Sequence, residues 1–249
     1  MWRALTFIEG DTVHAVPSPA WAGTGGDLVG RFHRAMWTFQ YDYRFSRAGV
    51  HDTAAHLGKL ASRVDAGGDP EAVALGREIL DAARALPALP ATPRRHVHGD
   101  LKISNILFET AGGAPRAVCL VDLDTLGLGT MAFELGDMLR SWCNPRGEDA
   151  GSVAFDLDIF GEAIAGFRDA ADAYLSQDER RSIVPGLETV CIELAARFAV
   201  DVFDDSYFGW DPARFPSRRA HNLVRARGQL ALGLAVRAAR DEATALVVG

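Results

Sequence analysis

The segment from His96 to Asp124, HVHGDLKISNILFETAGGAPRAVCLVDLD, constrains the fold of this chain more than any other part of its sequence. Two apolar runs inside it, Ile106 to Phe108 and Ala117 to Val121, have the composition of β-strands, and Gly112-Gly113 between them is typical of a tight turn. We therefore predict a β-hairpin. Residues just before its first strand and just after its second strand would then lie close together.

Three polar residues occupy those positions. Asp100 and Asn105 precede the first strand, and Asp122 follows the second. A carboxylate and an amide oxygen that converge at the end of a hairpin suit the hard Mg²⁺ ion, which prefers oxygen ligands. We predict that Asp122 lies beside Asn105. Asp100, just outside this pair, is then placed to orient a hydroxyl nucleophile for phosphoryl transfer.

The same residues form a motif that resembles a known family. HGDLKISN is similar to the H-x-D-x-x-x-x-N catalytic loop of the aminoglycoside phosphotransferases and choline kinases, which are small-molecule relatives of the protein kinases. VDLD resembles their metal-binding segment. FELGDMLR, ELAARF and HNLVRARGQLAL follow in the order typical of the N-acetylhexosamine 1-kinase-like branch. The resemblance covers nearly all of the chain.

This resemblance implies an α+β fold that is predominantly α: a protein-kinase-like large C-terminal lobe with short β-hairpins, and with the small N-terminal lobe absent. Residues 1–16 then form a hinge-like strand segment, and residues 17–249 form the lobe. The chain has two lysines, Lys59 in a helical pattern and Lys102 in the loop, so neither suits the strand lysine that holds the phosphates in kinases. Gly23-Thr24-Gly25-Gly26 follows no strand, and we interpret it as a linker and helix start.

The family motif also implies a role for each central site residue. Asp100 is the expected catalytic base, and Asn105 and Asp122 are the expected magnesium ligands. ATP is the expected phosphoryl donor. Glu9 and Gly10, in the hinge-like segment, are expected among its contacts.

Further residues are expected in supporting or alternative roles. Lys102 either contacts the γ-phosphate or is a solvated charge, and Asp124 either reaches a second metal or the sugar, or faces solvent. His98 is expected to hold the loop by packing, and Asp137 to hydrogen-bond the loop backbone. Candidate acceptor contacts, which ordinary packing would also explain, are Arg197, His51, Asp52, Tyr207 and Phe208.

The motif predicts transfer of the ATP γ-phosphoryl group to a hydroxyl of a small molecule, a sugar or amino sugar. The alternative is a weak or inactive family member, lacking the small lobe, that binds a ligand or a partner. A separate small lobe or a homo-oligomer is a further alternative. His96-x-His98-x-Asp100 also resembles the opening of a metallo-β-lactamase-type zinc motif, but Leu101 stands where its last histidine is required, and a catalytic zinc needs three protein ligands.

Net charge, apolar runs and cysteine spacing indicate which classes of partner and which compartment to expect for this chain. A net charge of −7 without a basic patch argues against nucleic acid. The sequence shows neither a signal peptide nor a run of eighteen apolar residues, which argues against a membrane and favours the cytoplasm. Cys119, Cys143 and Cys191 lack metal-ligand spacing and are expected to be buried thiols.

Apolar periodicity and helix breakers predict the remaining architecture. Helices are expected over residues 27–40, 53–64, 70–86, 132–142, 157–174, 177–203 and, as the last element, from 217 or 220 to 239.

Overall fold

The structure, a computed structural model, describes residues 6–44, 49–110, 113–150 and 152–249. Its helices are α1 (Pro19–Met36), α2 (Thr53–Ala66), α3 (Pro70–Arg84), α4 (Met131–Trp142), α5 (Leu157–Ala171), α6 (Gln177–Asp204), α7 (Arg218–Ala238) and α8 (Arg240–Val248). Its strands are β1 (Arg95–Val97), β2 (Ile106–Glu109), β3 (Arg116–Leu120) and β4 (Gly127–Gly129). None of the described helices is both long and apolar enough to cross a membrane.

The predominantly helical architecture is confirmed, and local capping explains several boundaries. α2 and α3 begin directly after Asp52 and Asp69, whose carboxylates accept hydrogen bonds from the backbone N–H groups of Ala55 and Ala72. α4, α5, α6 and α7 begin within a few residues of the predicted positions. The chain does not finish with α7, however. α8 follows it, and its Val247 side chain is buried in the core.

The prediction for the glycine cluster is wrong. α1 begins at Pro19, so Gly23 to Gly26 lie inside the helix rather than in a linker before it. They allow α1 to approach α5 closely: a Cβ atom on Gly26 would lie 2.2 Å from the carbonyl oxygen of Ala163, and one on Gly166 would lie 2.0 Å from that of Gly23. The cluster therefore serves helix packing.

The predicted hairpin is confirmed. β2 pairs antiparallel with β3, with Ile106 opposite Leu120. Gly112 of the predicted turn lies outside the described residues, whereas Gly113 has a φ of 85°, which favours glycine. A second antiparallel sheet joins β1, just before the motif loop, to β4, just after the VDLD segment. The two sheets therefore bracket both parts of the motif.

The segment predicted to be a hinge-like strand is only partly described. Residues 1–5 lie outside the described residues, and residues 6–10 form no strand. Within residues 6–16, strand-like pairing occurs at Asp11 alone. The chain nevertheless lies along the hairpin, because Asp11 and Phe108 exchange two backbone hydrogen bonds of 2.9 Å.

The core divides into two clusters that α6 joins. One packs α1, α4 and α5 against the hairpin around Trp142 and Phe167, and the other packs α2, α3, α6 and α7 around Leu60 and Ile79. At the crossing of α4 and α6, a Cβ atom on Gly186 would lie 2.2 Å from a backbone oxygen of α4. This close contact fixes the helix that supports the motif loop against the helix that crosses both clusters.

The cysteines are free thiols. Cys143 and Cys191 are buried, and Cys119 is half-buried. Burial raises the pKa of both buried thiols, that of Cys191 to about 12, so they stay protonated at neutral pH.

Candidate active site

Asp100 lies in the loop between β1 and β2, and other side chains of this loop hydrogen-bond to its carboxylate. Lys102 donates to the Asp100 carboxylate from Nζ at 2.8 Å, and Asn105 donates from Nδ2 at 3.1 Å to the same oxygen. Asn105 also donates to the backbone oxygen of Asp100 at 2.8 Å. Below the loop, the buried Trp142 donates to the backbone oxygen of Leu101 at 2.7 Å. The Asp100 carboxylate is therefore held in one orientation.

Glu134 on α4 fixes the start of this loop. Its two carboxylate oxygens accept hydrogen bonds from the backbone N–H groups of His98 at 2.7 Å and Gly99 at 3.0 Å. The contact expected of Asp137 is thus made by Glu134, one turn earlier on the same helix. Asp137 instead accepts a hydrogen bond from Arg140 at 2.8 Å. The prediction failed because it chose the wrong one of two acidic residues that share a helix.

The loop is also tied to the segment after β3. The buried His98 ring hydrogen-bonds through Nε2 to the backbone oxygen of Val121 at 3.0 Å, and Thr125 donates to the backbone oxygen of His98 at 2.7 Å. Gly99 has a φ of 79°, and a Cβ atom there would lie 2.8 Å from the backbone oxygen of Thr125. The close packing and the backbone conformation both favour glycine at this position.

The backbone of Asp122 lies near that of Asn105. Val121, the residue before Asp122, donates its backbone N–H to the backbone oxygen of Asn105 at 2.9 Å. Asp122 has a left-handed backbone with a φ of 61°, an unusual conformation for a residue other than glycine that is often found at functional sites. Asp122 and Asp124 are both exposed. Within the described part of the chain, no three His, Cys, Asp or Glu side chains converge to hold a metal.

A cleft opens in front of Asp100. It has a volume of about 670 Å³, and five of the sequence-predicted residues line it beside Asp100: Lys102, His51, Arg197, Asp137 and Phe208. The Phe208 ring packs against Phe198 with the ring centroids 4.4 Å apart and the ring planes tilted by 46°. We call this space the Asp100 cleft. Tyr207, in contrast, is 68% exposed and does not line it.

Charged groups cluster on the floor of the Asp100 cleft. Asp137 is half-buried, and its partial desolvation raises its pKa, but Arg140 beside it, with smaller contributions from His51 and Arg197, holds the pKa below its ordinary value. Asp137 in turn raises the pKa of Arg140. Both groups therefore stay charged at neutral pH and give the floor a fixed ion pair.

Four predicted site residues, Asp52, Asp124, Glu9 and Gly10, are not among those that line the Asp100 cleft. Asp52 caps α2 and lines a second cavity of about 950 Å³, together with Asp124. Val50, His51 and Gly99 form a wall common to this cavity and the Asp100 cleft. Glu9 and Gly10 are exposed, although the Gly10 backbone lies against β2.

The sequence of residues 1–180 matches the model of the phosphotransferase enzyme family (APH), which is most of the chain. The chain belongs to this phosphotransferase family. A stretch of 58 residues is 47% identical to viomycin phosphotransferase of Streptomyces vinaceus, covering 23% of this chain and 20% of that protein.

Two solved kinases have a similar fold. A choline kinase from Cryptosporidium parvum Iowa II, at 11% identity, matches with a TM-score of 0.56 over 96% of this chain and 71% of that one. A Plasmodium vivax ethanolamine kinase, at 12% identity, matches with a TM-score of 0.53 over 90% of this chain and 63% of that one. The chain therefore spans less than two thirds of the ethanolamine kinase.

The structure adds residues to the candidate site that sequence reasoning missed. Glu193 is buried beneath His51, and Asp201 holds the loop that carries Phe208. Asp201 accepts hydrogen bonds from three successive backbone N–H groups, those of Ser206, Tyr207 and Phe208, at 2.8 to 3.0 Å. The available signal was an acidic residue at an otherwise apolar position of α6, which is costly to bury unless its charge is compensated.

Proposed function

We propose that this phosphotransferase transfers the γ-phosphoryl group of ATP to a hydroxyl of a small molecule, a sugar or amino sugar. The observation that carries the proposal is the Asp100 carboxylate, which lines an open cleft while Lys102 and Asn105 hold it. The backbone of its loop is fixed by the buried carboxylate of Glu134. Orientation of this kind is the main requirement for phosphoryl transfer, in which catalysis consists mostly of positioning.

In the proposed reaction, the acceptor hydroxyl hydrogen-bonds to the Asp100 carboxylate. The hydroxyl oxygen forms a bond to the γ-phosphorus while the bond from that phosphorus to the β,γ-bridging oxygen breaks. ADP leaves, and Asp100 accepts the hydroxyl proton. Lys102 lies 2.8 Å from the same carboxylate and holds it in its ionised form before the proton is transferred. Once Asp100 is neutral, the ammonium group of Lys102 would be available to offset negative charge on the transferred phosphoryl group.

The residues at the hairpin edge fit a magnesium ion. Asn105 uses Nδ2 to bind Asp100, which leaves its amide oxygen as an acceptor, and the adjacent Asp122 carboxylate is exposed. Mg²⁺ in such sites takes one or two carboxylates together with substrate phosphates and water, so a third acidic side chain is not required. Asn105 and Asp122 would hold the ion, with Asp124 as a further candidate. Mg²⁺ would supply charge neutralisation for the phosphate oxygens.

For the phosphoryl donor, we assign nucleotide contacts to Glu9 and Gly10. We place the reaction in the cytoplasm, on a small-molecule substrate, with neither nucleic acid nor a membrane as a partner. A second candidate function, a weak or inactive binding module, is supported by the lysines. Lys59 lies on α2 and pairs with Asp204 at 2.9 Å, and Lys102 lies in the loop. Neither is on a strand. A further alternative is that a separate small lobe, or a second copy of the chain, supplies the lysine that holds the phosphates.

Titration calorimetry with Mg-ATP and an ADP-release assay separate the two functions. The acceptor panel is glucosamine, N-acetylglucosamine, glucose, choline, aminopropanol and viomycin. We expect Mg-ATP binding and acceptor-dependent ADP release. Absence of binding at millimolar Mg-ATP would contradict autonomous kinase activity and favour the binding module.

Asp100→Asn tests the base. It should lower kcat by about 10²- to 10⁴-fold, the usual contribution of a positioned base, while the Kd for Mg-ATP stays nearly unchanged. Turnover close to that of the wild type would disprove this role.

Asp122→Ala tests the metal site and serves as the complementary variant. It should weaken binding of ATP by about tenfold or more when Mg²⁺ is present, because one of two proposed ligands is lost. Calorimetry with and without Mg²⁺ measures the effect. Equal Mg-ATP affinity in the variant and the wild type would contradict the assignment.

A further inference from the structure

The half-buried His51, which lines the Asp100 cleft, forms a hydrogen-bonded pair with the buried Glu193. The Nδ1 atom of His51 lies 3.0 Å from Oε1 of Glu193, and the Thr53 hydroxyl donates to the other carboxylate oxygen at 2.5 Å. Glu193 is only 1% exposed. Among the described residues, each of its oxygens has one hydrogen-bond partner, and both partners lie at or just before the start of α2.

The His51 ring is fixed on one face as well. It stacks on Phe133 of α4 with a centroid distance of 4.6 Å and an interplanar angle of 11°. The side chain keeps 28% of its surface exposed and lines the same cleft as Asp100. Since Nδ1 contacts Glu193, the exposed Nε2 edge is the part of the ring that a ligand can reach.

The pairing defines the chemistry of that edge. An ionised carboxylate is only an acceptor, so Nδ1 of His51 carries the hydrogen, and in the neutral ring Nε2 presents a lone pair. We infer that His51 is a specificity-determining residue whose Nε2 accepts a hydrogen bond from a second hydroxyl or amino group of the acceptor, and that Glu193 is its positioning residue. This inference rests on the proposed function.

The surrounding charges agree with a donor group at this position. The charged groups that interact with His51 are Glu193, at 3.0 Å, and Asp137, on whose carboxylate Arg140 and Arg197 also act. Because Asp100 lines the same cleft, the acceptor needs two donor groups: a reacting hydroxyl for Asp100 and a second hydroxyl or amino group for His51. Polyhydroxylated molecules meet this requirement, whereas a simple mono-alcohol does not.

The hydrogen position can be tested without turnover. Nitrogen-15 NMR of the histidine side chains in the full chain, assigned by the signals lost in the His51→Asn variant, distinguishes a protonated Nδ1 from a protonated Nε2 in the neutral ring. We expect the Nδ1–H form, because Glu193 stabilises it. Finding the Nε2–H form would overturn the inference whatever the activity of the protein, so its failure is separate from a failure of the proposed function.

Two variants of His51 then separate Nε2 from Nδ1. An asparagine amide nitrogen occupies about the position of Nδ1, so His51→Asn keeps the contact with Glu193 and loses Nε2. His51→Gln places its amide near Nε2. With the panel member that gives the highest ADP release, we expect His51→Asn to raise the acceptor KM about tenfold, as expected for one lost hydrogen bond, and His51→Gln to raise it less than about threefold. The KM for ATP should stay the same in both.

The alternative outcomes are distinct. Equal loss in both variants would assign the effect to packing of the imidazole ring, and an unchanged acceptor KM in His51→Asn would remove His51 from acceptor recognition. Either result overturns the inference. A panel without ADP release would contradict the proposed function alone, and the NMR measurement would still decide the state of the pair.

Discussion

Replacement of Glu134 by glutamine tests whether the buried carboxylate holds the catalytic loop. Its two oxygens accept backbone hydrogen bonds from His98 and Gly99 at 2.7 and 3.0 Å, and its side chain is 2% exposed. The amide of Glu134→Gln keeps one acceptor oxygen but turns an N–H₂ group toward the second backbone donor. One charged hydrogen bond is therefore lost and one buried N–H group is left without an acceptor.

The magnitude follows from these contacts. A hydrogen bond to a charged group contributes about 1.5–3 kcal/mol, and the unpaired buried donor makes the upper part of that range the better expectation. A loss of about 2–3 kcal/mol corresponds to about a 30- to 150-fold change in the local opening equilibrium of the loop. The same factor is the upper limit for the fall in kcat, because an opened loop no longer orients Asp100.

Hydrogen exchange of the amide protons of His98 and Gly99 measures this opening directly. Glu188→Gln is the matched control, since Glu188 is also a buried helical carboxylate with two donors, Arg237 and Arg240, but lies outside the lining of the Asp100 cleft. Both variants should lower the free energy of unfolding, and only Glu134→Gln should speed exchange at the two loop amides. Equal loop exchange in the two variants would refute the reasoning.

Two further predictions concern stability. Gly26→Ala should lower Tm by about 2–8 °C, because the added Cβ would lie 2.2 Å from the Ala163 oxygen, and overpacking costs about 1–3 kcal/mol against a gain of about 0.5–1 kcal/mol in helix propensity. Gly58→Ala, on α2 with no atom within 4 Å of the added Cβ, should raise Tm by about 1–4 °C, and equal shifts in a thermal scan would contradict the packing argument. Burial raises the pKa of Asp201, but the backbone N–H groups that donate to its carboxylate lower the pKa by a larger amount. The pKa of Asp201 therefore lies below its ordinary value. Its stabilising contribution is therefore complete above the unfolded pKa of about 3.9 and is lost as the pH falls through the lower folded pKa. Asp201→Asn should cost about 1.5–3 kcal/mol at pH 7, and urea unfolding should show this difference shrinking below about pH 4; a difference independent of pH would assign the loss to shape rather than charge.

The sequence predicted those features of the fold that depend on neighbouring residues. Asp52 before α2 and Asp69 before α3 form caps within their own turns, and the hairpin follows from two short apolar runs and a glycine turn. The start of α1 could not be predicted in this way. Glycine disfavours a helix by about 1 kcal/mol, and the compensating contact of Gly26 with Ala163 joins residues far apart in the chain.

The same distinction explains what was missed in the site. The loop motif identified Asp100 and Asn105, which the structure brings into contact. It could not say whether Glu134 or Asp137 faces the loop, because both lie on one helix and its rotation is set by packing against the rest of the core. The buried partner of His51 is more distant still, since Glu193 lies on α6, 142 residues along the chain. Such contacts require the assembled helices.

The crossing of α4 and α6 explains how residues from distant segments can form one site. A Cβ atom on Gly136 of α4 would lie 2.8 Å from the backbone of Gly186, so the two helices are in direct backbone contact. Glu134, on α4, holds the loop of Asp100, and Glu193, on α6, holds the ring of His51. Phe133, next to Glu134, stacks on that same ring. Because packed backbones have no flexible side chains between them to absorb a shift, the position of the proposed base relative to His51 is set by the helix crossing itself. Acceptor specificity in this phosphotransferase should therefore depend on the groups that line the cleft rather than on movement of one wall against the other.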